Sequence, residues 1–135
     1  DCRWAALLAD LPEGRAKDAS ESLKAPKAFS LLATRISGGR SSSKTALKDA
    51  NECMALLKVL DGLRRKEPFE GFCETLVALE QKSVDAHSAV DLLRSARDAA
   101  QQVKAADFVD QGLTGPEQGA AIQAAQIERI AGLLD

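Results

Sequence analysis

The sequence predicts an all-α protein: an antiparallel bundle of four main helices with a short amphipathic helix in front. Three observations carry this. Between Phe72 and Gln111 there is neither glycine nor proline, the two main helix breakers, and the stretch is filled with residues that lose little on entering a helix. Apolar positions in several segments step by 4 and 3 residues, the period of a buried helical stripe. No segment shows the strict apolar–polar alternation of a half-buried strand.

Trp4, Leu7, Leu8 and Leu11 make one stripe of a short first helix, which Pro12 and Gly14 end. Residues 14–25 are polar apart from Leu23 and read as linker or weak helix, so that 1–25 form a short helix and polar linker and 26–135 the bundle. Pro26 opens a helix through Phe29, Leu32, Ala33 and Ile36, with Gly38 and Gly39 as its stop. Ser41, Ser42 and Ser43 offer caps for the next helix, about Lys44 to Lys66, whose seam is Ala46, Ala50, Cys53, Leu57 and Leu60. Arg64, Arg65 and Lys66 close it, where the helix dipole favours positive charge.

Glu67-Pro68 marks the following turn, and Phe69, Phe72, Leu76 and Leu79 begin the next helix. Unbroken to Asp107 it would span roughly 60 Å, far beyond its predecessor, so a break is expected near 82–85, where Ser83 and Asp85 can cap. Ala86, Val90, Leu93, Ala96, Ala100 and Val103 share a side of its second part. After Gly112, Gly115 and Pro116, a final helix carries Ala120, Ala124, Ile127, Ala131 and Leu134.

A chain of 135 residues has room for one domain with a core. Aromatics are only 4% and tyrosine is absent, so the core is expected to consist of Leu, Ala, Val and Ile. No apolar run approaches the roughly 20 residues of a membrane span. A start at Asp1 rather than Met suggests a processed chain, organellar or secreted, or a fragment. The net charge of −2 argues against general nucleic-acid binding. It is unevenly spread: residues 1–48 carry nine Lys/Arg and five Asp/Glu, residues 49–135 nine and fifteen. Cys2, Cys53 and Cys73 match neither a zinc site nor a disulfide framework; Cys53 and Cys73 read as buried thiols, with a bridge between neighbouring helices as the alternative.

No motif with catalytic or cofactor chemistry stands out. Residues Gly38 to Thr45 approach the phosphate-binding pattern G-x-x-x-x-G-K-[ST], but Ser43 replaces the second glycine and no buried strand precedes it. The segment therefore reads as a serine-capped connection. His87 is the only histidine, which excludes multi-histidine metal sites, and Val84 three residues before it breaks the Glu-x-x-His pattern of carboxylate-bridged metal bundles. No Gly-x-Ser-x-Gly elbow supports hydrolase chemistry.

These residues point to a non-catalytic accessory or scaffold subunit acting through protein–protein contacts in a larger assembly. No catalytic residue, metal or cofactor, no nucleic acid and no small-molecule ligand is expected. The candidate interface is Trp4, Leu7, Leu8 and Leu11, with Arg35, Arg40, Lys44 and Lys48 from the basic front. Trp4 either anchors in a partner groove or folds back on its own bundle.

In layout the chain resembles the extrinsic four-helix subunits of photosynthetic membrane complexes, the PsbQ-like kind, which implies peripheral association with a membrane complex. A lone histidine on a helical bundle also resembles the histidine phosphotransfer domains, with their H-x-x-K-G-like pattern, and implies a signalling role for His87. Here Val90 stands for the lysine and Asp91 for the glycine, and an acidic neighbour repels a phosphoryl group. A fragment of a larger protein, or a secreted effector that binds helices of a host protein, is a third reading.

Overall fold

Helices account for all the regular structure in the computed structural model, with no strand among the described residues. The structure describes residues 1–46, 48–81 and 84–134, the side chains of Ser41, Lys44, Thr45 and Val84 excepted. In chain order the helices are α1 (Cys2–Leu8), α2 (Glu13–Ser22), α3 (Lys27–Ala46), α4 (Ala50–Val59), α5 (Lys66–Leu79), α6 (Val84–Gln101), a 3₁₀ helix (Ala105–Gln111) and α7 (Gly115–Leu134). The fold is all-α, and its layout is compatible with the expected bundle. No helix is long and apolar enough to cross a membrane, among the described residues.

α3 is the central element, packing against α1, α2, α4 and α5. It runs straight through Gly38 and Gly39, where the sequence suggests a stop. The reason is packing. A Cβ on Gly39 would come within 2.9 Å of the Phe72 ring in α5, so this position is glycine to let a helix and a ring approach. A Cβ on Gly38 would meet the Glu13 carboxylate of α2 at 2.8 Å. Residues 38–45, expected as a serine-capped connection, lie inside α3, and Ser43 Oγ donates to the carbonyl of Arg40 at 2.7 Å, back along its own helix.

The cap of the next helix is instead Asp49, whose carboxylate accepts from the backbone N–H groups of Asn51 at 2.7 Å and Glu52 at 3.3 Å. Those two bonds hold its carboxyl below the usual carboxylate range. Consequently α4 is Ala50–Val59, shorter than the expected 44–66.

The stretch expected as linker or weak helix contains α2, which packs along α3. Ala16 and Ser20 are its buried residues, and Trp4 Nε1 of α1 donates to Ser20 Oγ at 3.1 Å. Two short helices, neither stable alone, thus become stable by docking on a third.

Pro68 sits within the first turn of α5, where a missing N–H costs nothing. The expected break between α5 and α6 is present, between Leu79 and Val84; Lys82 and Ser83, the proposed cap included, lie outside the described residues. α6 ends at Gln101 rather than running to Asp107. The 3₁₀ helix that follows ends at Gly112, whose φ of +66° favours glycine. Thr114 and Glu117 then open α7, the Glu117 carboxylate accepting from the Thr114 backbone N–H at 2.9 Å and from its hydroxyl at 2.8 Å.

Phe69 and Phe72 are fully buried and stand at the centre of the core, beside Ile36, Leu57 and Leu76. The core is therefore not purely aliphatic. Two rings are its largest fully buried side chains among mostly aliphatic ones, and Gly39 makes room for Phe72. Cys53 and Cys73 are both buried and free, and burial pushes their thiols up to about 11 and about 12.

Candidate functional site

The connection between α4 and α5 is a tight turn held by its own backbone and by α6. Asp61 adopts a left-handed conformation, φ +52°, and the Gly62 N–H donates to the Leu57 carbonyl at 2.8 Å. Gly62 lies on the face of Phe69, where a Cβ would come within 2.9 Å of the ring. From α6, Arg97 Nε donates to the Gly62 carbonyl at 2.6 Å while its guanidinium sits 5.7 Å from the Phe69 ring centre. Gln101 Nε2 donates to the Leu63 carbonyl at 2.9 Å. The turn is fixed from below by a ring and from the side by two side chains.

Leaving this turn the chain presents Arg64, Arg65 and Lys66 in succession, all exposed. Arg65 pairs with Asp61 at 3.4 Å; among the described residues Arg64 and Lys66 make no ion pair. Arg35 of α3 faces the same place. Its partial burial lowers its pKa first of all, Asp61 raises it, and Arg65 lowers it again, so the three charges act on one another. Two exposed acids, Glu67 and Asp1, border Arg35 at this edge.

The sequence singled out a different set. Leu8 is buried, Leu11 and Trp4 are half-buried against the core, and the Trp4 indole is spent on Ser20; of that stripe Leu7 alone stands clear, 72% exposed. Arg40 lies five residues beyond Arg35, about 140° around α3, and faces another way. It bridges Asp10 at 2.8 Å and Glu80 at 3.3 Å, across an open cleft of about 560 Å³ bordered by Leu11, Pro12 and Ser37. Lys48 is exposed in the turn before α4, and the side chain of Lys44 lies outside the described residues. The structure thus brings Arg35 to the α4–α5 turn and Arg40 to a separate ion-pair cluster.

His87 is exposed on α6, on a shallow groove of about 400 Å³ with Glu74, Asp91 and Arg94. Arg94 is engaged by Glu70 at 2.8 Å, and that hydrogen bond raises its pKa. Among the described residues no three His, Cys, Asp or Glu side chains are grouped to hold a metal ion.

Comparison with known proteins adds what the geometry alone does not. No protein-family model matches the chain, and no solved structure matches it significantly. Curated relatives do. The chain is 33% identical over 129 residues to a CCA-adding enzyme of Pseudomonas putida (strain W619), a match that covers 95% of the chain and 35% of that enzyme. It is 34% identical over 121 residues to a multifunctional CCA protein of Halorhodospira halophila, covering 86% of the chain and 29% of the relative. A multifunctional CCA protein of a second Pseudomonas putida strain, KT2440, is 32% identical over 132 residues. The chain spans about a third of the length of the curated relatives it matches.

These matches overturn the expectation of a non-catalytic scaffold or accessory subunit, and with it the PsbQ-like and phosphotransfer alternatives, because the relatives are named as enzymes. They also overturn the exclusion of nucleic acid: an enzyme that adds CCA works on nucleotides. The physical fault in that exclusion is that net charge is a sum over the whole surface, whereas charges are felt only within a Debye length of about 8 Å in physiological salt. Arg64, Arg65 and Lys66, read from the sequence as a mere helix end, form a local cationic edge within the acidic segment 49–135.

Proposed function

We propose that this chain is the helical portion with which a CCA-adding nucleotidyltransferase grips its acceptor RNA, a tRNA lacking its CCA end. The observation that carries the proposal is the identity of about a third, extending over 95% of the chain, to a CCA-adding enzyme of which it spans about a third. Metal-assisted nucleotidyl transfer draws on clustered carboxylates, and no such cluster is present among the described residues. A cationic turn on a rigid helical frame suits the other task of such an enzyme, holding a polyanion in place.

The test is a titration of the 135-residue chain into a fluorescein-labelled tRNA transcript without its CCA end, followed by anisotropy. At 50 mM salt we expect saturable binding, weakening steeply as salt rises because phosphate contacts release counterions. No binding at that salt overturns the proposal.

A further inference from the structure

We propose that the α4–α5 turn is a phosphate ledge, on which Arg64, Arg65 and Lys66 hold the sugar–phosphate backbone of the acceptor RNA. This rests on the RNA-gripping reading above, and it assigns the grip to one edge of the molecule.

The distribution of cations selects this edge. Several other arginines are already neutralised: Arg40 by Asp10 and Glu80, Arg94 by Glu70, and Arg97 lies beside Asp98 at 3.5 Å. At the turn three consecutive cations are exposed, and only Asp61 pairs with one of them. Arg35 adds a fourth positive charge from a different helix, close enough to Arg65 for the two to repel. Residues 49–135, in which the turn lies, are acidic as a whole, so three consecutive cations there make a local positive site against the trend of their own segment.

Rigidity is the second argument. Arg97 and Gln101 pin the carbonyls of Gly62 and Leu63, the two residues before the cations, and Phe69 fills the space beneath. The backbone that carries the cations is already ordered, so less entropy is lost when phosphates arrive. The ring beneath the turn, Phe69, is fully buried and offers no face on which a base could stack. The exposed groups of the edge are guanidinium and ammonium, whose charge follows the phosphates of any sequence.

The experiment compares the wild-type chain with R64Q/R65Q/K66Q and with a control of equal charge loss, K17Q/K24Q/K104Q, on the same tRNA transcript between 50 and 300 mM salt. The ledge variant is expected to bind about 10- to 100-fold more weakly at 100 mM, with a log–log salt slope shallower by about two. The control should stay within about threefold and keep the wild-type slope, within the general field effect of net charge. Circular dichroism melts check folding; should the triple variant unfold through loss of the Arg65–Asp61 pair, R64Q/K66Q, which breaks no ion pair, is expected to lower the slope by at least one. Equal slopes for ledge and control variants overturn the ledge. If the wild type itself fails to bind, the RNA-gripping reading falls first. If the ledge variant loses binding to polyglutamate and keeps it to RNA, the edge serves an acidic protein and the proposal is wrong.

Discussion

Gly39 of α3 faces the ring of Phe72 in α5 so closely that a Cβ would sit 2.9 Å from Cε2 of the ring. The ring is fully buried and has nowhere to go. In G39A the methyl gains about 1 kcal/mol of helix propensity but overpacks the core by about 1–3 kcal/mol. The expected outcome is a net loss of up to about 2 kcal/mol in chemical denaturation. The adjacent G38A meets only the end of the exposed, flexible Glu13 side chain, and it should be neutral or more stable by about 0.5–1 kcal/mol. Opposite signs at neighbouring positions are the result that checks the packing; equal effects would contradict it.

Arg97, a charged residue of α6 whose side chain is only 12% exposed, should matter for stability. In R97M the aliphatic stem is kept and the 2.6 Å bond to the Gly62 carbonyl is lost, along with the cation over Phe69. Gly62 is buried, so its carbonyl is left without that donor, at a cost of about 1–3 kcal/mol. Urea unfolding of R97M against wild type measures it.

The Asp49 cap gives the fold an acid-sensitive element. Its carboxyl is held below the usual range in the folded state, so its contribution is complete above the unfolded value of about 3.9 and disappears as pH falls through the folded value. Thermal melts should show D49A below wild type in Tm at pH 7, with the gap closing as pH falls below about 4. A gap that stays constant over that range would mean the carboxylate is not the cap.

Thiol chemistry should distinguish the three cysteines. Burial raises the Cys53 and Cys73 thiols to about 11 and about 12, so almost no thiolate exists at neutral pH. Titration with a chromogenic disulfide reagent at pH 8 should release one equivalent from the partly exposed Cys2, and the other two only after denaturant is added.

Much of the fold was legible in the residues. The uninterrupted run from Phe72 to Gln111 and the 4-and-3 stepping of apolar positions require helices, because both are properties of a single element and its own periodicity. The break between α5 and α6 follows from length and from the possible caps Ser83 and Asp85. Helix ends did not follow so simply. Gly38 and Gly39 carry every local mark of a stop, and they lie mid-helix because the ring of Phe72, 33 residues away, needs that space. Arg64, Arg65 and Lys66 illustrate the same division at the candidate site. The sequence shows three cations at a helix boundary. Only the tertiary structure sets them on a turn clamped by Arg97, brings Arg35 beside them, and occupies Arg40 with Asp10 and Glu80 elsewhere. Helical periodicity is decided by neighbours along the chain, whereas helix ends and a binding surface are decided by what distant helices bring together, a ring that needs space in one case and the charges left unpaired in the other.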